Sequence, residues 1–278
     1  MKVTVIGAGT MGNGIAQVFA QGGNEVVLTD IIEPVMEKAR DTIANSLERL
    51  SKKGLISETP DQVKRRITFT KSIDDGAGSD IYVEAIVEKV ELKKDILQKI
   101  NEMANEDSII ATNTSSISIN YLSGFVKHPE NFLGMHFFNP PPVMKLIEIV
   151  TGVRTSKKAV EKIQEISKDL GKEPVVVKDY PGFVANRVLM PLLREAIVAY
   201  EEGVASKEDI DKTVRLGLNH PMGPLELADF VGLDVTYDVM KVLYDEFGDP
   251  RYKPPITLRN MVNAGLLGRK TGEGFYKY

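Results

Sequence analysis

KVTVIGAGTMGNGIAQVFAQGGNEVVLTD, residues 2–30, carries the reading of the fold. KVTVI is β-branched and apolar, as a strand buried on both faces must be, and it ends at Gly7. MGNGIAQVFAQGG then places Ile15, Val18 and Phe19 on one helical face and stops at Gly22 and Gly23. EVVLTD is a second strand, closing on Asp30. Strand, glycine-rich turn, helix and strand in this order make a βαβ unit, and hence the start of a parallel sheet.

The turn itself, GAGTMG at residues 7–12, fits the pattern G-x-G-x-x-G, and Asp30 stands 18 positions beyond Gly12. Alone the glycine pattern is weak. Between a strand and a helix, with an acid closing the next strand, it is the dinucleotide fingerprint. Gly7 permits the tight turn, Gly9 lets a pyrophosphate approach the backbone, and Gly12 lets the helix pack on the sheet. The intervening Ala8, Thr10 and Met11 offer backbone N–H groups at the helix start, where the dipole favours an anion. Asp30 accepts hydrogen bonds from ribose hydroxyls. A 2′-phosphate would meet its negative charge, and no arginine follows immediately, so NAD is expected over NADP. FAD also suits the pattern, but the second domain is small and helical.

Working outward, Met36, Ala39, Ile43, Leu47 and Leu50 recur at helical spacing from about Pro34 to Lys53. SETPDQVKRRI predicts a second helix with Ser57 or Thr59 as its cap. Together they form a helical excursion too long for a minimal crossover. ITFT, DIYVEAIV and DSIIATNTS predict buried strands, with a helix from Lys89 to Met103 between the last two. FLGMHFF, KLIEIV and EPVVV predict further strands, and SKKAVEKIQEISKDLG a helix. From Gly182 onward the pattern is helical, with Pro191 expected to kink the first helix, Ser206 to cap another, and Gly232 and Gly248 to stop two more. The expected fold is α/β: a Rossmann-type, mostly parallel sheet with a helical excursion over residues 1–181, then a smaller all-α domain over residues 182–278.

Composition narrows the function class. The chain has 278 residues, long enough for two domains, and a formal net charge of −4, which gives no nucleic-acid signal. No apolar run reaches the ~18 residues that span a bilayer. The strand starting at Val3 leaves no room for a leader, so a cytoplasmic placement is expected. There is no cysteine, and His128, His136 and His220 form no metal-binding pair.

A second stretch, HFFNPPPVMKLIEI at residues 136–149, carries the chemistry. Three prolines cannot continue a central strand, so they form a stiff loop between two strands. His136 and Glu148 lie six positions either side of Pro142. A loop symmetric about that residue sets them opposite one another in an antiparallel pair, with Cβ atoms about 5 Å apart. A carboxylate so placed orients an imidazole and favours its protonated form, as a general acid/base site requires. A packed core histidine with a surface glutamate is the plainer alternative that spacing alone leaves open.

GAGTMGNGIAQ, VEAIVEK, NTSS, HFFNPPPVMKLIEI, PGFVANR, HPMGPLELADFVGLD and KTGEGFYKY together closely resemble the 3-hydroxyacyl-CoA dehydrogenase family, in register from residue 1 to residue 278. The resemblance implies reversible oxidation of an (S)-3-hydroxyacyl-CoA, short-chain as in members of this length, with hydride passing to NAD. It implies that His136 moves the hydroxyl proton, that Glu148 orients it, and that Ser115 and Asn186 bind the reacting oxygen. It further implies cofactor contacts at Gly7 to Gly12, Asp30, Glu88, Lys93, Asn113, Ser115, Asn139 and Lys270, and coenzyme A contacts at Ser46 and Lys53. Without it, Glu88 and Lys93 would be solvated charges. The local excess of positive charge over residues 48–66 fits an adenosine diphosphate head, or an ordinary charged helix face. NPPP, where many relatives interrupt the prolines, implies a stiffer loop. Homodimerisation through the helical domain is implied as well, and acyl-chain length would be set near Phe183, Val184 and Met222. Two other readings are a lysine-dependent β-hydroxyacid dehydrogenase, whose glycine-rich lysine–asparagine motif is not found, and a crystallin-like or sensor protein that binds NAD without turnover.

Overall fold

β1 (Lys2–Ile6), α1 (Thr10–Gln21) and β2 (Glu25–Thr29) form as the opening stretch predicts, in a computed structural model that describes residues 1–278. The chain divides into two units, Met1–Asp179 and Tyr180–Tyr278. In the first, β2 is followed by α2 (Glu33–Lys52), α3 (Pro60–Lys64), β3 (Ile67–Thr70), β4 (Ile81–Glu84), α4 (Val90–Met103) and β5 (Ile109–Thr112). Then come α5 (Ile119–Ser123), β6 (Phe132–Phe137), β7 (Leu146–Thr151), α6 (Lys157–Asp169) and β8 (Glu173–Lys178). The eight strands form one sheet in the order β3-β2-β1-β4-β5-β6-β7-β8. All neighbours are parallel except β6 and β7. Strand order reverses between β1 and β4, and a crevice for a ligand opens at the C-terminal ends of strands where this happens.

The core explains the arrangement. Val3, Val5 and Leu28 of the sheet pack with Ile15 and Phe19 of α1 and with Ile43 and Leu47 of α2, all fully or almost fully buried. The apolar stripe of α2 thus holds the helical excursion against the sheet, though its last member, Leu50, is only half-buried. Thr59, not Ser57, caps α3: its hydroxyl accepts from Gln62 N and the Gln62 side chain accepts from Thr59 N.

Two strands are shorter than the sequence suggests. β4 stops at Glu84 rather than running to Val87, because the Glu84 carboxylate accepts the Ile86 amide at 2.8 Å and so removes it from the ladder. β5 stops at Thr112, because the Thr114 hydroxyl accepts the Ile117 amide at 2.9 Å and folds the chain into a turn.

The second unit holds α7 (Ala185–Glu201), α8 (Lys207–Gly217), α9 (Pro224–Val231), α10 (Leu233–Phe247) and α11 (Ile256–Asn263). Its core joins Leu193 and Ile197 of α7 to Leu225, Leu233, Met240, Leu243 and Leu258. α7 begins at Ala185 rather than Gly182, since Gly182 and Phe183 take φ of +74° and +50°, outside the right-handed helix. Pro191 lies inside α7, Ser206 caps α8 by accepting from Asp209 N, and Gly232 and Gly248 end α9 and α10. The last residues fold back on α9, where Asp229 accepts the Phe275 and Tyr276 amides at 2.9 and 2.8 Å.

Candidate active site

The glycine turn lies at the switch point. Gly7 has φ +100°, and a Cβ there would come within 2.7 Å of the Ala85 carbonyl oxygen. At Gly12 a Cβ would meet the Gly7 carbonyl oxygen at 1.7 Å, so glycine is demanded by the packing of α1 on the turn. Gly9 differs. Its φ is −61°, which any residue adopts, and a Cβ there would meet no protein atom within 4 Å. Neither strain nor packing asks for glycine, and the bare backbone faces open space. α1 has no side-chain cap and no acid in its first turn, so its N-terminal dipole is left for an outside anion. Asp30 closes the turn: Oδ2 accepts the Ala8 amide at 2.9 Å and Oδ1 the Ile32 amide at 3.0 Å. Met11 is half-buried beneath the turn and Thr10 is exposed on it. These features fit a dinucleotide laid across the helix start.

A groove of about 600 Å³ runs from Gly9 and Thr10 along α2, past Ser46 and Arg49, to Asn139 and the three prolines. Lys53 lies beyond it, at the C-cap of α2. Of the cations over residues 48–66, Lys64 pairs with Asp61 at 2.7 Å and Arg66 pairs with Glu58. What remains is Arg49, Lys52, Lys53 and Arg65 against Glu48. The proline loop is fixed from two sides. Pro141 packs where a Cβ on Gly14 would stand 2.8 Å from its ring, and Lys172 Nζ donates to the Pro141 and Met144 carbonyls at 2.6 and 2.8 Å. Lys172 is buried, and that burial pushes its ammonium below the usual lysine range.

His136 on β6 and Glu148 on β7 are paired in direct register, as a loop symmetric about Pro142 requires. His136 Nδ1 stands 2.8 Å from Glu148 Oε2, with both residues buried at 7% and 2% exposure. A carboxylate only accepts, so Nδ1 carries the proton that faces Glu148. The Phe138 ring lies against the imidazole, centroids 4.7 Å apart. Asn113 Oδ1 accepts the Phe137 amide at 2.9 Å and fixes the end of β6.

Ser115 sits in the turn after β5, and that turn is organised around Glu88. Glu88 Oε1 accepts the Ser115 and Ser116 amides at 2.9 and 3.1 Å, along with the Thr114 hydroxyl. Lys93 Nζ lies 3.3 Å from the other oxygen. Burial pushes the Glu88 carboxyl up, but the Lys93 charge and these hydrogen bonds outweigh it, and the net displacement is downward. Lys93 is not a solvated charge. It is 0% exposed and bonds both oxygens of Glu84, at 2.7 and 2.9 Å, so its ammonium faces carboxylates rather than the groove. Glu84 and Lys172 were not recognised from the sequence. Glu84 stands inside VEAIVEK, yet nothing local marks it as enclosed, and Lys172 carries no local signal at all.

In the second unit, Asn186 is the second residue of α7 and half-buried. Phe183 is buried, Val184 exposed and Met222 half-buried. Lys270 is exposed and paired with Asp234.

Residues 2–180 match the family model described as 3-hydroxyacyl-CoA dehydrogenase, NAD binding domain, and residues 182–278 match that of the family's C-terminal domain. The chain belongs to the 3-hydroxyacyl-CoA dehydrogenase family. A probable 3-hydroxybutyryl-CoA dehydrogenase of Deinococcus radiodurans is 48% identical over 278 residues, covering the whole of both chains. The 3-hydroxybutyryl-CoA dehydrogenase of Clostridioides difficile is 45% identical and covers 100% of this chain and 99% of its own. The crystal structure of (S)-3-hydroxybutyryl-CoA dehydrogenase from Ralstonia eutropha superposes with a TM-score of 0.95 at 48% identity, covering 100% of this chain and 98% of that one. The glycine turn, Asp30 and the His136–Glu148 pair therefore lie in the part of this 3-hydroxyacyl-CoA dehydrogenase that matches the NAD-binding model. No helix is long and apolar enough to cross a membrane.

Proposed function

We propose that this chain catalyses the reversible, NAD-dependent oxidation of (S)-3-hydroxybutyryl-CoA to acetoacetyl-CoA. The observation that carries the reading is the buried His136–Glu148 pair, held in register on the two strands that flank the loop lining the nucleotide groove. Hydride transfer is the chemistry that NAD, when bound, would supply. His136 Nε2 takes the proton of the substrate hydroxyl in oxidation and returns it in reduction. Glu148 holds the ring in the tautomer with Nδ1 protonated, in which Nε2 is the basic nitrogen, and it stabilises the imidazolium that results. Ser115, in the turn organised by Glu88, donates to the reacting oxygen as charge develops there. For Asn186 the same role rests on the PGFVANR motif alone.

The bare backbone at Gly9 and the N-terminus of α1 hold the pyrophosphate, and Asp30 takes the ribose hydroxyls. Asn113, Asn139 and Glu88 complete the cofactor side, and Lys93 acts through Glu88 rather than by touching the ligand. Lys270 is assigned to the cofactor on the family pattern only. Ser46, in the groove wall, and Lys53, at the end of α2, are assigned to coenzyme A, whose phosphates suit the cations left along that helix. The first unit is the cofactor domain and the second the substrate and dimerisation domain. A homodimer through the second unit accords with its exposed Val188, Leu216, Leu218 and Phe230, and sedimentation velocity tests it. A cytoplasmic location is proposed with it, to be checked by cell fractionation.

The deciding experiment mixes the protein with NADH and acetoacetyl-CoA and follows the nicotinamide absorbance. Turnover is expected, and His136→Gln should lower kcat by about 10²–10⁴-fold. A flat trace alongside measured NADH binding would refute the assignment in favour of a sensor.

A further inference from the structure

β4 ends on a carboxylate that the protein encloses completely. Glu84 is 0% exposed and stands level with Ile6 of β1 on one side and Thr112 of β5 on the other. Those neighbours lead into the two turns of the site, the glycine turn after Ile6 and the Thr114–Ile117 turn after Thr112. Every direction around the carboxylate is used. Oε1 accepts from the Ile86 amide at 2.8 Å and Lys93 Nζ at 2.7 Å, and Oε2 from the Thr112 hydroxyl at 2.6 Å and Lys93 Nζ at 2.9 Å.

Taking a lysine and a glutamate out of water costs more than their attraction commonly returns, and apolar residues of the same volume would hold the strands at least as well. The pair therefore asks for a reason other than stability. The next shell supplies one. The same ammonium that Glu84 holds lies 3.3 Å from Glu88, and Glu88 is the anion on which the Ser115 and Ser116 amides and the Thr114, Ser115 and Ser116 hydroxyls converge. We propose that Glu84 is a positioning residue: by fixing Lys93 it fixes Glu88, and through Glu88 it sets the turn that presents Ser115. The low-lying carboxyl of Glu88 agrees, since that group must stay ionised to gather five donors from the turn. The kinetic consequence rests on the dehydrogenase reading, whereas the ordering of the turn does not.

Glu84→Gln keeps the shape and removes the charge. The amides of Ser115 and Ser116 should then exchange hydrogen at least about tenfold faster, because their acceptor is no longer held. With NADH and acetoacetyl-CoA, kcat should fall about tenfold or more, with KM for NADH within about threefold, as expected when a group that acts in the transition state is misplaced. Glu88→Gln should lower kcat and speed the exchange alike, though with KM for NADH raised as well because Glu88 also lies on the cofactor side, and the double variant should lose no more kcat than the worse single one, since both act through one turn. Thr112→Val, which removes one hydrogen bond from Glu84, should move both readouts the same way by a smaller factor and serves if Glu84→Gln does not fold. Folded variants with wild-type kcat and wild-type exchange at Ser115 and Ser116 would overturn the proposal, as would losses that multiply in the double variant. If the wild type itself showed no turnover, the assigned reaction would fall, and the exchange measurement alone would decide the role of Glu84.

Discussion

Alanine at Gly9 and alanine at Gly12 should fail for opposite reasons, though the two glycines lie three residues apart in one motif. At Gly12 the new Cβ would be driven to 1.7 Å from the Gly7 carbonyl oxygen, a backbone atom that no side-chain rotation can move. The turn and α1 must separate, and overpacking of this kind costs about 1–3 kcal/mol or more. For a unit of this size each kcal/mol lowers the melting temperature by about 2–4 °C, so Gly12→Ala should melt several degrees early. At Gly9 the Cβ meets no protein atom within 4 Å and φ is already −61°. Its only intrinsic cost is replacing glycine by alanine at an N-cap, less than about 1 kcal/mol. The methyl projects into the groove, where the pyrophosphate should lie. The same 1–3 kcal/mol of crowding then falls on the ligand and weakens NADH binding by about 5- to 150-fold. Thermal melts paired with NADH fluorescence titrations separate the cases. A Gly9→Ala protein that binds NADH within twofold of wild type would refute the placement of the pyrophosphate. One that melts as early as Gly12→Ala would refute the open space at Gly9.

Glu148→Gln should leave NADH binding unchanged and lower kcat by about 10²-fold or more, since an amide accepts more weakly from Nδ1 and offers no charge to an imidazolium; stopped-flow single turnovers would show whether the chemical step is the one slowed. Lys172→Met removes the donor that two loop carbonyls share, so we expect a loss of about 1–3 kcal/mol in urea unfolding and a raised KM for NADH, because Asn139 rides on that loop. Wild-type values of both would mean that the prolines alone hold the loop. Glu88 has its folded-state carboxyl below the ordinary glutamate value, so its contribution to stability is complete above about pH 4.3 and is lost as pH falls through the lower folded value. Glu88→Gln should therefore show a shallower loss of urea midpoint below that pH than the wild type, and parallel acid limbs would contradict the assigned cause.

The sequence by itself determined the parts whose physics is local. Continuous runs of apolar and β-branched residues, the glycine punctuation and the ban on proline within a ladder set the strands and the turn. The symmetry of a proline-bounded loop set His136 opposite Glu148, because in an antiparallel pair the register follows from the centre of the loop. The resemblance added Ser115 and Glu88, which no spacing rule would have selected. Only the tertiary structure decided which charges lie inside. Lys93 belongs to an amphipathic helix and resembles any surface lysine along the chain, yet it is fully enclosed by Glu84 and Glu88. Lys172 reaches back 31 residues to the proline loop, and Gly14 makes room for a ring 127 residues away. The cost of leaving water depends on everything packed around a group, and those neighbours come from distant parts of the chain, so no window of sequence contains the answer.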